Sequence, residues 1–306
     1  MILIVAFALG SAMLYGVADF MGGVAARRIP VLVATTINYA LAAVVLVITL
    51  LIVGGVWSTS AVIGGLVAAV LAAVGFLTFY AALAAGPISL MSPLMALLSS
   101  AVPVIVALVL GDQLRPIAWV AIVVAIVGSV MIGIERRVST RGAKPRTLLF
   151  AIIAGLGLGG ATVALDAVPE EAGMVPIFLD TTVGFVLLLA LVALAPRVPA
   201  LRRLLASLDA HEAPVVTPAW SGAAGGAARR RALLLAAAAG ILVGGANVLL
   251  MVALHAGSVA VVAVLVNLYP VATVLLAWIL LRERVNAIQG TGIVLAVAAS
   301  VMLGLA

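Results

Sequence analysis

Long apolar runs separated by short polar breaks dominate the chain. A helix that crosses a bilayer needs about twenty predominantly apolar residues. Runs of that kind cover 2–25, 31–53, 61–84, 89–110 and 117–134, and then 147–165, 175–195, 232–254, 259–281 and 287–306. They are continuous and do not alternate in the short segments of a membrane barrel, so the pattern predicts helices. The expected fold is all-α, an integral membrane protein of about ten transmembrane helices. The first run lacks a basic segment before it and a small-residue cleavage site after it, and it reads as a retained helix.

Most breaks are a few residues long. Two are longer, at 135–146 and 196–231. Inside the second, Leu201, Leu204, Leu205 and Leu208 recur at helical spacing, with Arg202 and Arg203 off that face. Such a stripe suits a short helix on the membrane surface, and a solvated linker is the alternative.

The chain repeats itself. Displaced by 171 residues, 82–135 falls on 253–306 without a gap, with about sixteen identical positions, among them Gly86 with Gly257 and Ser129-Val130-Met131 with Ser300-Val301-Met302. At a shift of 147, Gly10 and Asp19 fall on Gly157 and Asp166, and at 146 Thr35-Thr36 falls on Thr181-Thr182. The organisation read from this is a first five-helix repeat over 1–134, a basic connecting loop over 135–146, and a second five-helix repeat over 147–306. Five is odd, so the second copy enters the membrane inverted. Inverted repeats are a feature of secondary transporters, with the solute held where the repeats meet.

Composition sharpens this picture. The chain is 66% hydrophobic and 8% charged, against roughly half and a quarter in a soluble domain. A soluble fold of 306 residues has no interior large enough for that excess. The net charge of +6 does not point to nucleic acid, because the bases sit in breaks without interleaved aromatics. The odd-numbered breaks hold fifteen of the sixteen Lys and Arg residues and the even ones only Arg115. Basic loops stay in the cytoplasm, so both termini are expected outside, in a multi-pass protein of the cell membrane. There is no cysteine, which excludes disulfides and thiol chemistry. No phosphate-binding G-x-x-x-x-G-K-[ST] motif, Ser–His–acid set or metal-ligand spacing appears. The chain is therefore expected not to be an enzyme and to need no cofactor or metal.

The two five-helix halves resemble the EamA-type family of the drug/metabolite transporter superfamily. The resemblance is carried by Ala253-Leu254-His255-Ala256-Gly257, by Pro270 followed thirteen residues later by Glu283 in Leu281-Arg282-Glu283-Arg284, by Gly290, and by Tyr15-Gly16 in the first helix. The first half departs from the pattern, with Ser99 in place of the proline, Pro103 a turn later and Asp112 in place of Glu. The resemblance implies a ten-helix metabolite or drug exporter driven by an ion gradient or by exchange.

A charged group in the hydrocarbon core is costly, so an acid inside a span is a functional candidate. Asp19, Asp166 and Asp180 are the candidates for ion coupling, with a proton as the candidate ion; at helix ends they would instead serve as caps or pair with Arg27 or Arg28. The candidate solute-binding residues are Tyr15, Asp19, Thr35, Asn38, Tyr39, Tyr80, Thr182, Asn267 and Tyr269, polar or phenolic groups at depth in apolar helices. Each has an alternative use in bonding a neighbouring helix. Asn247 belongs to the same class of deep polar residue. The glycine pairs, Gly22-Gly23 among them, read as sites of close helix approach.

The expected function is secondary active transport of a small organic metabolite or drug-like solute, outward, by alternating access. The expected partners are that solute and membrane lipids, with no nucleic acid; oligomeric state is left open. A lipid or lipid-linked sugar flippase and a non-transporting membrane sensor are the rival readings.

Overall fold

Every described residue of the apolar runs lies in or beside an α-helix. The computed structural model describes residues 2–109, 116–133, 145–209, 223–256, 266, 268–282 and 287–304. Among them are eleven α-helices and one 3-10 turn, Glu170–Ala172. The helices are α1 (Ile2–Ala26), α2 (Val31–Val53), α3 (Thr59–Ala85), α4 (Ile88–Val109), α5 (Pro116–Gly133), α6 (Pro145–Asp166), α7 (Val175–Leu194), α8 (Pro199–Ala206), α9 (Ala223–Ala256), α10 (Tyr269–Leu281) and α11 (Ala287–Gly304). Within α1, α2, α3, α6, α7 and α9, six stretches are long and apolar enough to cross a membrane. Ile88–Ser99, Tyr269–Leu281 and Gly290–Ala299 are shorter apolar helices. Most of the connecting loop 135–146, Asp112, Glu283 and Asn267 lie outside the described residues.

Local chemistry explains several boundaries. Ser58 caps α3, its hydroxyl accepting from the Ala61 amide at 3.1 Å, which satisfies one of the donors a helix start leaves open. Pro176 and Pro199 stand in the first turns of α7 and α8, where a missing N–H costs nothing. Pro270 likewise opens the described part of α10, so no kink within that part follows from it.

The break at 196–231 differs from the sequence expectation. It holds α8 and the beginning of α9, which starts at Ala223 and carries Arg229, Arg230 and Arg231 exposed on its first turns. The face of α8 is also not the one expected. Leu205 and Leu208 are buried in the main core and Leu201 packs against it, whereas Leu204 is 63% exposed. The spacing i, i+4, i+7 leaves Leu204 on the outer edge of the stripe. Asp209 then accepts from the Val31 amide at 2.8 Å, which ties the end of this segment to the start of α2.

Helix contacts come in interchangeable pairs. α1 packs on α9 as α6 packs on α3; α2 on α9 as α7 on α3; α1 on α10 as α6 on α4. The pairs α2–α7, α5–α11 and α4–α10 map onto themselves under the same exchange. Gly10 faces Leu249 of α9, and Gly157 faces Leu71 and Gly75 of α3, so these repeat-related glycines occupy corresponding interfaces. The exchange fails at several places. α4 packs on α11, and α3 on α1 and α2, with no comparable contacts of α10 on α5 or of α9 on α6 and α7 among the described residues.

Large apolar side chains cover the outside. Leu51, Ile52 and Trp278 are 81%, 78% and 62% exposed, the arrangement expected of a surface that meets lipid rather than water.

Candidate solute site

The inner helices are held at close range by glycine, and that fixes where the polar side chains point. A Cβ on Gly16 would stand 2.5 Å from the Tyr269 carbonyl oxygen, so α1 and α10 touch backbone to backbone. Thr273 donates to the Gly16 carbonyl at 3.0 Å across the same contact. On the α9 side, Ser11 donates to the Ala246 carbonyl at 2.9 Å, and the Tyr15 phenol donates to Asn247 Oδ1. These bonds set α1 between α9 and α10 with Tyr15 turned inward.

Two more glycines accommodate rings. A Cβ on Gly22 would lie 2.3 Å from Cε1 of Tyr80, and one on Gly184 would lie 2.5 Å from Cε1 of Tyr39. Neither position has room for a side chain. The Tyr80 ring from α3 thus lies on α1, and the Tyr39 ring from α2 lies on α7. Asn38 donates through Nδ2 to the Tyr80 hydroxyl at 3.0 Å. Phe76 joins the two rings, with its centroid 5.7 Å from that of Tyr39 and 6.2 Å from that of Tyr80. The Phe76–Tyr39 contact is edge-on, which suits the ring quadrupole.

The acids lie among these rings. Asp19 is 4% exposed, and its charge acts on Tyr15, Tyr80 and Tyr269. The charge of Asp180 acts on Tyr15 and Tyr39. Tyr15 is therefore common to both carboxylates. The chain has four tyrosines, and each lies within reach of the charge of Asp19, of Asp180 or of both. Among the described residues, the buried polar side-chain atoms without a hydrogen-bond partner are Asp180 Oδ1, Asn38 Oδ1, Thr182 Oγ1 and Ser92 Oγ. Buried polar groups are normally paired, and those that are not call for an explanation.

The residues singled out from the sequence separate into three sets. Tyr15, Asp19, Asn38, Tyr39, Tyr80, Tyr269 and Asp180 come together. Thr182 has an open hydroxyl on α7. Thr35 and Asp166 do not join them. The Thr35 hydroxyl donates to the Val31 carbonyl at 2.8 Å, back-bonded to its own helix as threonine often is. Asp166 is the exposed last residue of α6. The helix ends there because the chain approaches Pro169, whose ring excludes a helical residue before it. The pairing of Asp19 with Asp166 by repeat position therefore does not extend to depth. Nor does Arg27 pair with Asp19 in the way considered from the sequence: its Nε and Nη2 donate to the carbonyls of Leu83 and Gly86 at 3.2 and 2.8 Å, at the end of α3.

Sequence reasoning missed Ser92 and the ring-holding role of Gly22 and Gly184. Asn247 was visible as a deep polar residue, but nothing in the sequence pairs it with Tyr15, which lies 232 positions away.

No curated protein matches the chain. It is similar in fold to a solved structure titled only "Crystal structure of protein", at 16% identity and a TM-score of 0.51, with 95% of this chain and 96% of that one covered. That likeness speaks for the fold alone. The model of the EamA-like transporter family matches residues 2–134 and 145–305, which takes in both halves of the chain. Together with its apolar helices, this makes the protein a multi-pass membrane protein. The chain belongs to the EamA-like transporter family.

Proposed function

We propose that this protein is a secondary active transporter of a small organic solute in the cell membrane, that it works as an exporter, and that the solute binds between Asp19 and Asp180. One observation carries the reading. The two acids placed inside the described spans away from their ends both act on Tyr15, and between them they reach every tyrosine of the chain. A carboxylate at depth is costly and is retained where it serves a pathway or a site. The orphaned acceptors and hydroxyls on α2 and α7 are groups that a solute would satisfy.

The broken exchange of helix contacts supports alternating access. Two inverted halves in identical conformations would seal both ends of the molecule equally. Here α1 closes on α3 through Gly22, Gly23 and the Arg27 bonds to Leu83 and Gly86. No comparable α6–α9 contact is made among the described residues. On the basic-loop reading of orientation, the closed end is cytoplasmic and the site faces outward. The opposite state would form the α6–α9 contact and release α1 from α3. Asp19 is the first candidate to bind the coupling proton, since it is buried and its charge reaches three tyrosines.

The test compares metabolite pools inside and outside cells with and without the protein. A solute accumulating outside only when the protein is present is the expected result. The same compound must then leave proteoliposomes that contain the purified protein. Unchanged pools, and no efflux of any compound from the proteoliposomes, would contradict transport.

A further inference from the structure

Three helices reach the same level at one end of the bundle. α2 packs on both α7 and α9. A Cβ on Gly240 would stand 2.3 Å from the Asn38 carbonyl oxygen, and one on Gly244 2.6 Å from Val45 Cβ, so α9 runs beside α2 in the same direction. Two turns back along both helices lead to Val31 and Leu233. α7 runs the opposite way, with Ile177 clustered with Leu46 and Gly184 against the Tyr39 ring. Its last residues therefore also come level with Val31. The chain after α7 crosses this level. Leu205 and Leu208 of that segment share a buried cluster with Val31, Leu32 and Ala34, and Asp209 accepts from the Val31 amide at 2.8 Å. The exposure of α2 follows the cover: none of 31–43 is exposed, whereas Val44, Val47, Ile48 and Leu51 are.

Arginines stand where the outward apolar stripes stop. On α9, Ile241 and Leu234 are exposed, and the exposed Arg230 and Arg231 precede Leu234 on the same stripe by four and three residues. On α7, Leu187 and Leu194 are exposed, and the exposed Arg197 comes three residues after Leu194. Its Nη1 donates to the Ala193 carbonyl at 2.6 Å, which holds the guanidinium at the helix end. On α8 successive residues turn by about 100°. Leu205 enters the core, Leu204 stands exposed at the edge, and Arg203 faces away, exposed. Each outward surface thus passes from leucine to arginine within about one turn, roughly 5 Å. A bilayer passes from acyl chain to headgroup over a similar depth.

We infer that the end of α7, α8 and the first turns of α9 form a binding surface for an anionic membrane phospholipid. Arg197, Arg203, Arg230 and Arg231 hold its phosphate, and Leu204 and Leu234 meet its acyl chains. The guanidinium fork matches phosphate oxygens, and the arginine stems lie along apolar surface with their heads at headgroup depth. Charge decides the lipid class. A zwitterionic headgroup brings a cation of its own to a basic surface, and an anionic one does not. The inference rests on the chain's membrane spans and not on the solute assignment.

Native mass spectrometry of the purified full-length protein in detergent tests it, with three probes: phosphatidylglycerol, phosphatidylcholine, and glycerol 3-phosphate, which has the phosphate without acyl chains. Phosphatidylglycerol is expected to bind at least about tenfold tighter than either of the others, since each basic residue near an anionic headgroup is worth about fivefold. The Arg203→Gln/Arg230→Gln/Arg231→Gln variant should weaken phosphatidylglycerol by about tenfold or more on the same grounds. Arg203→Gln and Arg230→Gln alone should each weaken it by about threefold or more. Arg282→Gln, an exposed arginine at the end of α10, should leave it unchanged. Size-exclusion profiles establish that each variant is folded.

Equal binding of phosphatidylcholine overturns the inference, because the arginines would then not select charge. Glycerol 3-phosphate bound as tightly as phosphatidylglycerol overturns it as well, because the leucines would play no part. So does unaltered phosphatidylglycerol affinity in the folded triple or single variants. An equal loss in Arg282→Gln would mean attraction to net charge without a local surface, and would also overturn it.

Discussion

Gly22 and Thr182 make the account testable side chain by side chain. A methyl group on Gly22 meets the Tyr80 ring at 2.3 Å, too close for any rotamer adjustment of a ring also bonded to Asn38. Gly22→Ala is expected to lower stability by about 1–3 kcal/mol, the usual cost of overpacking, read as an earlier thermal unfolding in detergent. Adding Tyr80→Leu should return part of that loss, because contacting residues couple; additive losses in the double variant would mean that the ring does not lie on Gly22. The two threonines give a contrast in function. Thr35 bonds its own helix, so Thr35→Val should leave transport unchanged. Thr182 has an open hydroxyl, so Thr182→Val should lower transport by about threefold to tenfold, the worth of one hydrogen bond. Equal effects of the two would remove Thr182 from the site. At this scale much was legible in the sequence. An acid or a phenol in the middle of an apolar run announces itself, because burying it is costly. What the sequence does not contain is the partner. Thr35 and Thr182 look alike as letters, and only the folded helix separates the bonded hydroxyl from the open one. Asp166 misled for a related reason: repeat position transfers a residue number, while Pro169 ends the helix and leaves the acid at the surface.

At the scale of elements, α8 shows how a docked helix differs from one that lies free on the membrane. Leu205 and Leu208 enter the core while Leu204 stays outside, and Asp209 continues to the start of α2. Leu205→Ala is expected to cost about 2–5 kcal/mol as a core truncation. Leu204→Ala should change stability by less than about 0.5 kcal/mol, as a surface change does. Thermal unfolding of the two variants decides the matter; matching losses would mean that α8 is held by lipid rather than by the bundle. The leucine spacing gave the helix but not its orientation about its axis, since a stripe of four leucines over two turns is wider than the contact it makes. The long span helices were far more legible. Twenty apolar residues have no other stable form in a bilayer, whereas the start of α9 at Ala223 lies in a segment rich in Ala and Arg with no apolar signal to mark it.

For the whole molecule, the distribution of basic residues sets orientation. The chain has no cysteine, so single cysteines report cleanly. Ser60→Cys, exposed at the start of α3, should react with a membrane-impermeant maleimide in intact cells, and Ala200→Cys on α8 should react only after the cells are opened. The reverse pattern would turn the molecule over and make the closed α1–α3 end external, leaving the fold intact. Pseudo-symmetry was visible in the sequence as a gap-free repeat of the later helices. Its failures, the α1–α3 contact without a comparable α6–α9 one among them, were not, because a repeat in sequence carries no record of which conformation each half adopts.

The central claim is that solute crosses through the region between Asp19 and Asp180. Efflux from proteoliposomes, with the compound found by metabolite profiling and with equal amounts of folded protein, tests it most directly. The account expects the Asp19→Asn/Asp180→Asn variant to lose about tenfold or more of the wild-type rate, the least that follows from removing two charge-assisted contacts, while Asp166→Asn keeps the full rate. Wild-type efflux from the folded double variant would contradict it.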